Sequence, residues 1–180
     1  FEILSDKSLL LKEKTKVKLI NLISECSGHT GIAGGQYLDL NYERKKIIKK
    51  KIIDMQIKKT GKLFAFCCIA PAIISNKNKK VIRLFEKIGY EIGLLFQITD
   101  DLIDYKGIAR KAGKKTKKDE KKGKATLISL LGYKNTIKYT NKIKNNILNK
   151  INYYGKKSED LKKTILFMHE REKWTKNINT

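Results

Sequence analysis

In the stretch GLLFQITDDLIDYKG, residues 93–107, three aspartates (Asp100, Asp101 and Asp104) stand within an otherwise apolar run. No Lys or Arg lies between Gly93 and Tyr105, although the chain carries 41 Lys and Arg against 18 Asp and Glu. On a helix, residues three and four apart share a face, which sets Gln97 one turn before Asp100 and Asp101, with Asp104 one turn beyond. Like charges at that spacing cost an isolated helix about 0.2–0.5 kcal/mol per pair, and burial raises the cost. A hard divalent cation removes the repulsion, and Mg²⁺ characteristically takes one or two carboxylates together with substrate phosphate oxygens. A bare DDxxD is also the composition of a solvated acidic turn. The flanking Leu94, Leu95, Ile98, Leu102 and Ile103 argue for a buried setting, and hence for the cation.

Further along, Lys114 lies in AGK and Lys124 in KGKAT, ten residues apart with Asp119 midway. Carboxylates that hold Mg²⁺, followed by lysines on a glycine-bearing segment, form a clamp for a diphosphate. The lysine excess needs its own explanation. Only four of the 41 cations are arginine (Arg44, Arg83, Arg110 and Arg171), and the lysines are spread along the whole chain. That distribution reads as general amino-acid usage. A nucleic-acid surface would gather its cations on one face with arginine and aromatics among them, so no nucleic-acid partner is expected.

The elements that must position these residues are helical. With one proline, Pro71, and few alternating β-branched runs, strands have little to build from. Ser5 or Asp6 is expected to cap a helix through KSLLLKEKTKVKLINLISEC. GHTGIAGGQYLDL follows, then a long helix from about residue 43 into LFAFCCIAPAII, kinked at Pro71. NKNKK reads as a turn and 79–105 as a long apolar helix. Residues 107–123 break the pattern with glycines and lysines, as a mobile loop or short helices. ATLISLLG, 135–154 and 158–174 complete a bundle, so the expectation is one all-α domain over 1–180.

The longest apolar run, 63–74, is too short to span a bilayer. Adjacent Cys67 and Cys68 sit among Phe, Ile and Ala and read as small core hydrophobes. Cys26 and His29 have ligand-like spacing with no second pair to complete a site. A reduced, cytoplasmic setting is expected. The chain opens at Phe1 with FEILSD, which reads as the last turn of a helix; the expectation is a portion of a longer protein without a targeting segment.

Taken together, four blocks in order resemble the trans-isoprenyl diphosphate synthases, the farnesyl and geranylgeranyl diphosphate synthase family, and most closely its bacterial branch. They are GIAGGQYLDL (31–40), KTGKL (59–63), GLLFQITDDLID (93–104) and GKKTKKDEKKGKAT (113–126). The resemblance implies the all-α isoprenoid synthase bundle, here without its N-terminal helices, and a homodimer. It implies condensation of isopentenyl diphosphate onto an allylic diphosphate, assisted by Mg²⁺. Carried over by position, Asp100 and Asp104 would bind Mg²⁺ with Asp101 beside them, and Lys59, Lys114 and Lys124 would contact the allylic diphosphate. The Thr60 hydroxyl, the Lys59 carbonyl and Gln97 would face the developing carbocation, and Gln36 and Asp39 would line the same cavity.

The sequence departs from that pattern in places. Ile108 follows Gly107 where the family has Asp, and Ala112 stands where Leu is usual. Residues 1–35 supply neither the family's first aspartate-rich motif nor the basic residues that bind isopentenyl diphosphate, so the chain alone is expected to be inactive and its product length is not legible. A terpene cyclase would need a second metal motif of Asn/Asp, Ser/Thr and Glu, which is not found. Two alternatives stay open at this stage: a non-catalytic subunit of a heteromeric prenyl synthase, and a basic helical nucleic-acid-binding protein.

Overall fold

Apolar residues at helical spacing from residue 88 to 102 organise the molecule around one long helix. Ile88, Ile92, Leu95, Ile98 and Leu102 are all buried. The computed structural model describes residues 1–111 and 123–174, and among these every regular element is helical. The central helix, which will be called α6, spans Lys79–Lys111. It runs through Gly107, although the sequence predicts a break there. A single helical glycine costs only about 1 kcal/mol, too little to end so long a helix by itself.

Preceding it are α1 (Glu2–Ser5), α2 (Glu13–Ser27), α3 (Ile32–Asn41), α4 (Lys49–Gln56) and α5 (Lys62–Ile74); following it are α7 (Leu127–Leu131), α8 (Tyr133–Asn152) and α9 (Glu159–Trp174). One core joins α6 to Ile52 of α4, Leu127 of α7, Ile143, Ile147 and Ile151 of α8, and Ile165 of α9. A smaller one joins Leu19 of α2 to Ile69 and Ile73 of α5. No described helix is long and apolar enough to cross a membrane.

Three local expectations are corrected. Asp6 does not cap α2: its Oδ1 accepts the Ser8 N–H and the Ser8 hydroxyl, both at 2.7 Å, and closes a turn before the helix starts at Glu13. The helix expected from about residue 43 begins instead at Lys49, because Arg44 adopts φ 59° and donates its N–H to the Gly123 carbonyl at 2.7 Å. That helix is also interrupted. Ile57–Gly61 forms a π turn between α4 and α5, with the Lys62 N–H bonded to the Ile57 carbonyl, an i to i+5 link. Cys67 is exposed on the outward side of α5 rather than in the core, while Cys68 is half-buried and Cys26 buried; all three are free thiols.

Candidate active site

The π turn carries Lys59 and Thr60, and two neighbouring helices hold it in place. From α3, Gly35 approaches so closely that an added Cβ would lie 2.2 Å from the Lys59 backbone nitrogen. From α6, Gly93 meets Gly61 in the same way, its Cβ position 2.5 Å from the Gly61 Cα. Only glycine permits either approach. The first contact brings Asp39, one turn beyond Gly35, to Lys59: Nζ and Oδ2 are 2.5 Å apart, with Asp39 largely buried. The second brings Gln97, one turn beyond Gly93, to Thr60, whose hydroxyl donates to Gln97 Oε1 at 3.0 Å.

From Thr60 the hydrogen bonds continue into the aspartate cluster. Gln97 Nε2 donates to Asp101 Oδ1 at 3.1 Å, and Gln56 Nε2 donates to Asp101 Oδ2 at 3.0 Å. Two neutral amides from different helices therefore fix both oxygens of one carboxylate. Gln56 is 2% exposed, and its Oε1 is buried without a hydrogen-bond partner. Asp100, on the next position of α6, instead accepts from Arg171 of α9, whose guanidinium carbon lies 4.5 Å from the Phe96 ring centroid.

Lys124 also lines the cleft. It lies between two anchors: Gly123, whose carbonyl binds the Arg44 N–H, and Thr126, the N-cap of α7. Thr126 and Ser129 form a capping box, each side-chain oxygen accepting the other's backbone N–H at 3.1 Å. Asp39, Gln56, Lys59, Gln97, Asp101 and Lys124 thus line one narrow cleft of about 30 Å³.

Of the residues expected from sequence, Asp39, Lys59, Gln97, Asp101 and Lys124 meet in this cleft, and Thr60 joins them through Gln97. Gln36 is exposed on α3, and Asp104 is exposed one turn beyond Asp100 on α6. Lys114 lies outside the described residues. Sequence reasoning missed Gln56 and Arg171. A signal for Gln56 exists: it falls on the buried face of α4 with Ile52 and Met55, where a polar side chain needs a partner.

The donor set suits a hard divalent cation, because all three acidic side chains on this part of α6 offer oxygen and two of them, Asp100 and Asp104, share a face. Among the described residues no three His, Cys, Asp or Glu side chains converge to hold a metal by themselves. One or two carboxylates is the number Mg²⁺ takes from a protein when phosphate oxygens complete its shell.

The chain is similar in sequence and in fold to known proteins. The farnesyl diphosphate synthase of Micrococcus luteus is 32% identical over 163 residues, 91% of this chain and 56% of that protein. An FPP/GFPP synthase from Zymomonas mobilis superposes with a TM-score of 0.79 at 29% identity, covering 93% of this chain and 55% of that one. A geranyltransferase from Helicobacter pylori, complexed with magnesium and isoprenyl diphosphate, superposes at 0.75 with 27% identity, covering 93% and 54%. The chain spans about half the length of the curated relatives it matches. With residues 2–166 of its 180 matching the Polyprenyl synthetase family model, this chain belongs to the polyprenyl synthetase family.

Proposed function

We propose that this chain forms one all-α domain of a cytoplasmic, homodimeric trans-prenyltransferase, and that it carries the allylic diphosphate half of the active site. The reaction joins isopentenyl diphosphate to an allylic diphosphate by a 1′-4 link and yields a short-chain isoprenyl diphosphate. The observation that carries this reading is the meeting of Asp39, Lys59, Gln97, Asp101 and Lys124 in one cleft from four separate parts of the sequence.

The chemical problem is ionisation of an allylic carbon–oxygen bond. Mg²⁺, held by Asp100 and Asp104 with Asp101 beside them, would supply positive charge against the departing diphosphate. Lys59, Lys124 and Lys114 bind the diphosphate oxygens by charge-assisted hydrogen bonds. Asp39 aims the Lys59 ammonium along the cleft wall, which restricts a side chain that otherwise loses much rotamer freedom on binding. The Thr60 hydroxyl oxygen, the Lys59 carbonyl and Gln97 present partial negative charge to the carbon that becomes cationic. Gln56 and Gln97 hold the Asp101 carboxylate in one orientation throughout.

Asp100→Ala tests the metal assignment in a chain of full family length. Turnover should fall at least a hundredfold, or about 2.7 kcal/mol in the barrier, while the helical circular dichroism stays near wild type. Near-normal turnover in Mg²⁺ rules the assignment out.

A further inference from the structure

Asp100 has a partner that the ionisation chemistry does not use. From α9, Arg171 donates a guanidinium Nη2–H to Asp100 Oδ1, across 71 residues of sequence. The same guanidinium stands over Phe96, its Cζ 4.5 Å from the ring centroid. Phe96 and Asp100 are one turn apart on α6, so a carboxylate and an aromatic face on one helix hold the group together. The pair is partly shielded, with side-chain exposures of 27% for Arg171 and 38% for Asp100. Arg171 Nε is buried with no hydrogen-bond partner, so the fork is gripped by part of its donor set and by a ring. In a chain with only four arginines among 41 cations, the position set against Asp100 is one of the four. An arginine can stack on a ring while it bonds a carboxylate; a lysine ammonium is a compact, strongly hydrated charge.

We infer that Arg171 is a tethered counter-ion that occupies the Asp100 carboxylate until a divalent cation takes its place. The inference rests on the reading of Asp100 as a metal ligand and is independent of prenyl transfer itself. Two cations drawn to the same oxygens repel each other and compete. The consequences follow from charge alone. Without metal, Arg171 offsets part of the repulsion among three neighbouring carboxylates. With metal, the displaced guanidinium retains five N–H donors for diphosphate oxygens. Bare Mg²⁺ is therefore held weakly, and Mg²⁺ arriving with diphosphate is held better.

The test uses the 180-residue chain, with Mg²⁺ alone and Mg²⁺ with inorganic diphosphate as probes. In Arg171→Gln, the Mg²⁺ concentration that half-saturates the rise in melting temperature should drop by about three- to tenfold from wild type. Arg171→Lys, which keeps the charge without the fork, should fall between the two. A folding defect in either variant does not block the test, because the decisive measurement is on wild type. The four arginines give four Nε–Hε nuclear magnetic resonances, and through-bond assignment on the wild-type protein identifies that of Arg171. Adding Mg²⁺ at matched ionic strength should move this resonance toward the position of a solvated guanidinium. An Arg171 signal that stays put while the backbone amides of 100–104 shift overturns the inference and leaves the metal reading standing. A higher half-saturating concentration in Arg171→Gln also overturns it, since Arg171 would then be helping Asp100 to bind. No shift at either place removes both the metal reading and the inference.

Discussion

The polarity of the Thr60–Gln97–Asp101 chain is set by the carboxylate. Because Asp101 only accepts, Gln97 turns its Nε2–H toward it, which leaves Gln97 Oε1 to accept the Thr60 hydroxyl. Thr60→Val keeps the shape and removes the donor, which leaves Gln97 Oε1 without that hydrogen bond. An unmade hydrogen bond of this kind is worth about 1–3 kcal/mol, so kcat/KM should fall about 5- to 150-fold; an unchanged value would show that the Thr60 hydroxyl plays no part in the reaction. Lys124 sits in the cleft, whereas Lys50 is exposed on α4. Lys124→Ala should lower turnover or affinity about ten- to a hundredfold by the loss of a charge-assisted contact. Lys50→Ala should change little, because that charge stays in water. Steady-state kinetics of the pair separates a diphosphate contact from the general lysine excess, and equal small effects would mean that the register of Lys124 is coincidence. The thiols offer a check that needs no substrate. Burial pushes the Cys68 thiol up to about 11, with neighbouring Cys67 adding to the rise. At pH 8 about one Cys68 in a thousand is then thiolate, so a thiolate-directed reagent should label exposed Cys67 well before Cys68 in the folded protein.

At the scale of elements, the π turn is where three helices are brought to the chemistry. Its widened register puts Lys59 toward α3 and Thr60 toward α6, so two consecutive residues serve two neighbours. Close backbone approach is the condition for this, and of the two glycines that meet the turn, Gly35 and Gly93, Gly35 is the tighter. Gly35→Ala must push α3 off the turn, which should cost about 1–3 kcal/mol of stability and separate Asp39 from Lys59. The neighbouring Gly61 provides the contrast. A Cβ there meets only ordinary contacts, at 3.5 Å with Ile57 and 3.6 Å with the Tyr90 ring, and the backbone is helical, so Gly61→Ala should be neutral or stabilising. Urea unfolding of both variants decides whether backbone proximity at Gly35, rather than glycine flexibility in general, builds the site.

Over the whole molecule, α6 couples the core to the site. The residues that seal its buried side, Ile88, Ile92, Leu95, Ile98 and Leu102, set the rotation at which Gln97, Asp100 and Asp101 emerge toward the π turn, α9 and α4 respectively. A change in that rotation would move every one of them together. The matched region is about half of each relative, and the proposed function gives the cleft the allylic diphosphate alone. The 180-residue chain alone is therefore expected to show little or no condensation, and activity should appear when a polypeptide carrying the rest of the family fold is mixed with it. Full activity from the purified chain by itself, measured with an allylic diphosphate and isopentenyl diphosphate, would overturn that expectation.

What could be read from sequence was local in origin. The aspartate spacing, the helical class and the long apolar run of α6 depend on 3.6-residue periodicity, which acts within a few turns and needs no knowledge of neighbours. KTGKL could be singled out as a block, but its π geometry could not, because the extra residue in the turn is accommodated by Gly35 and Gly93 on two other helices. The lysine of KGKAT was visible, yet its place in the cleft depends on the Arg44 N–H meeting the Gly123 carbonyl across a long stretch of chain. The partners of the aspartates were decided by tertiary structure as well. Gln56 reaches Asp101 from 45 residues away, and Arg171 reaches Asp100 from 71. Such pairings are fixed only when apolar packing brings the helices together, because the hydrophobic term that drives packing is blind to which polar groups it will leave facing one another.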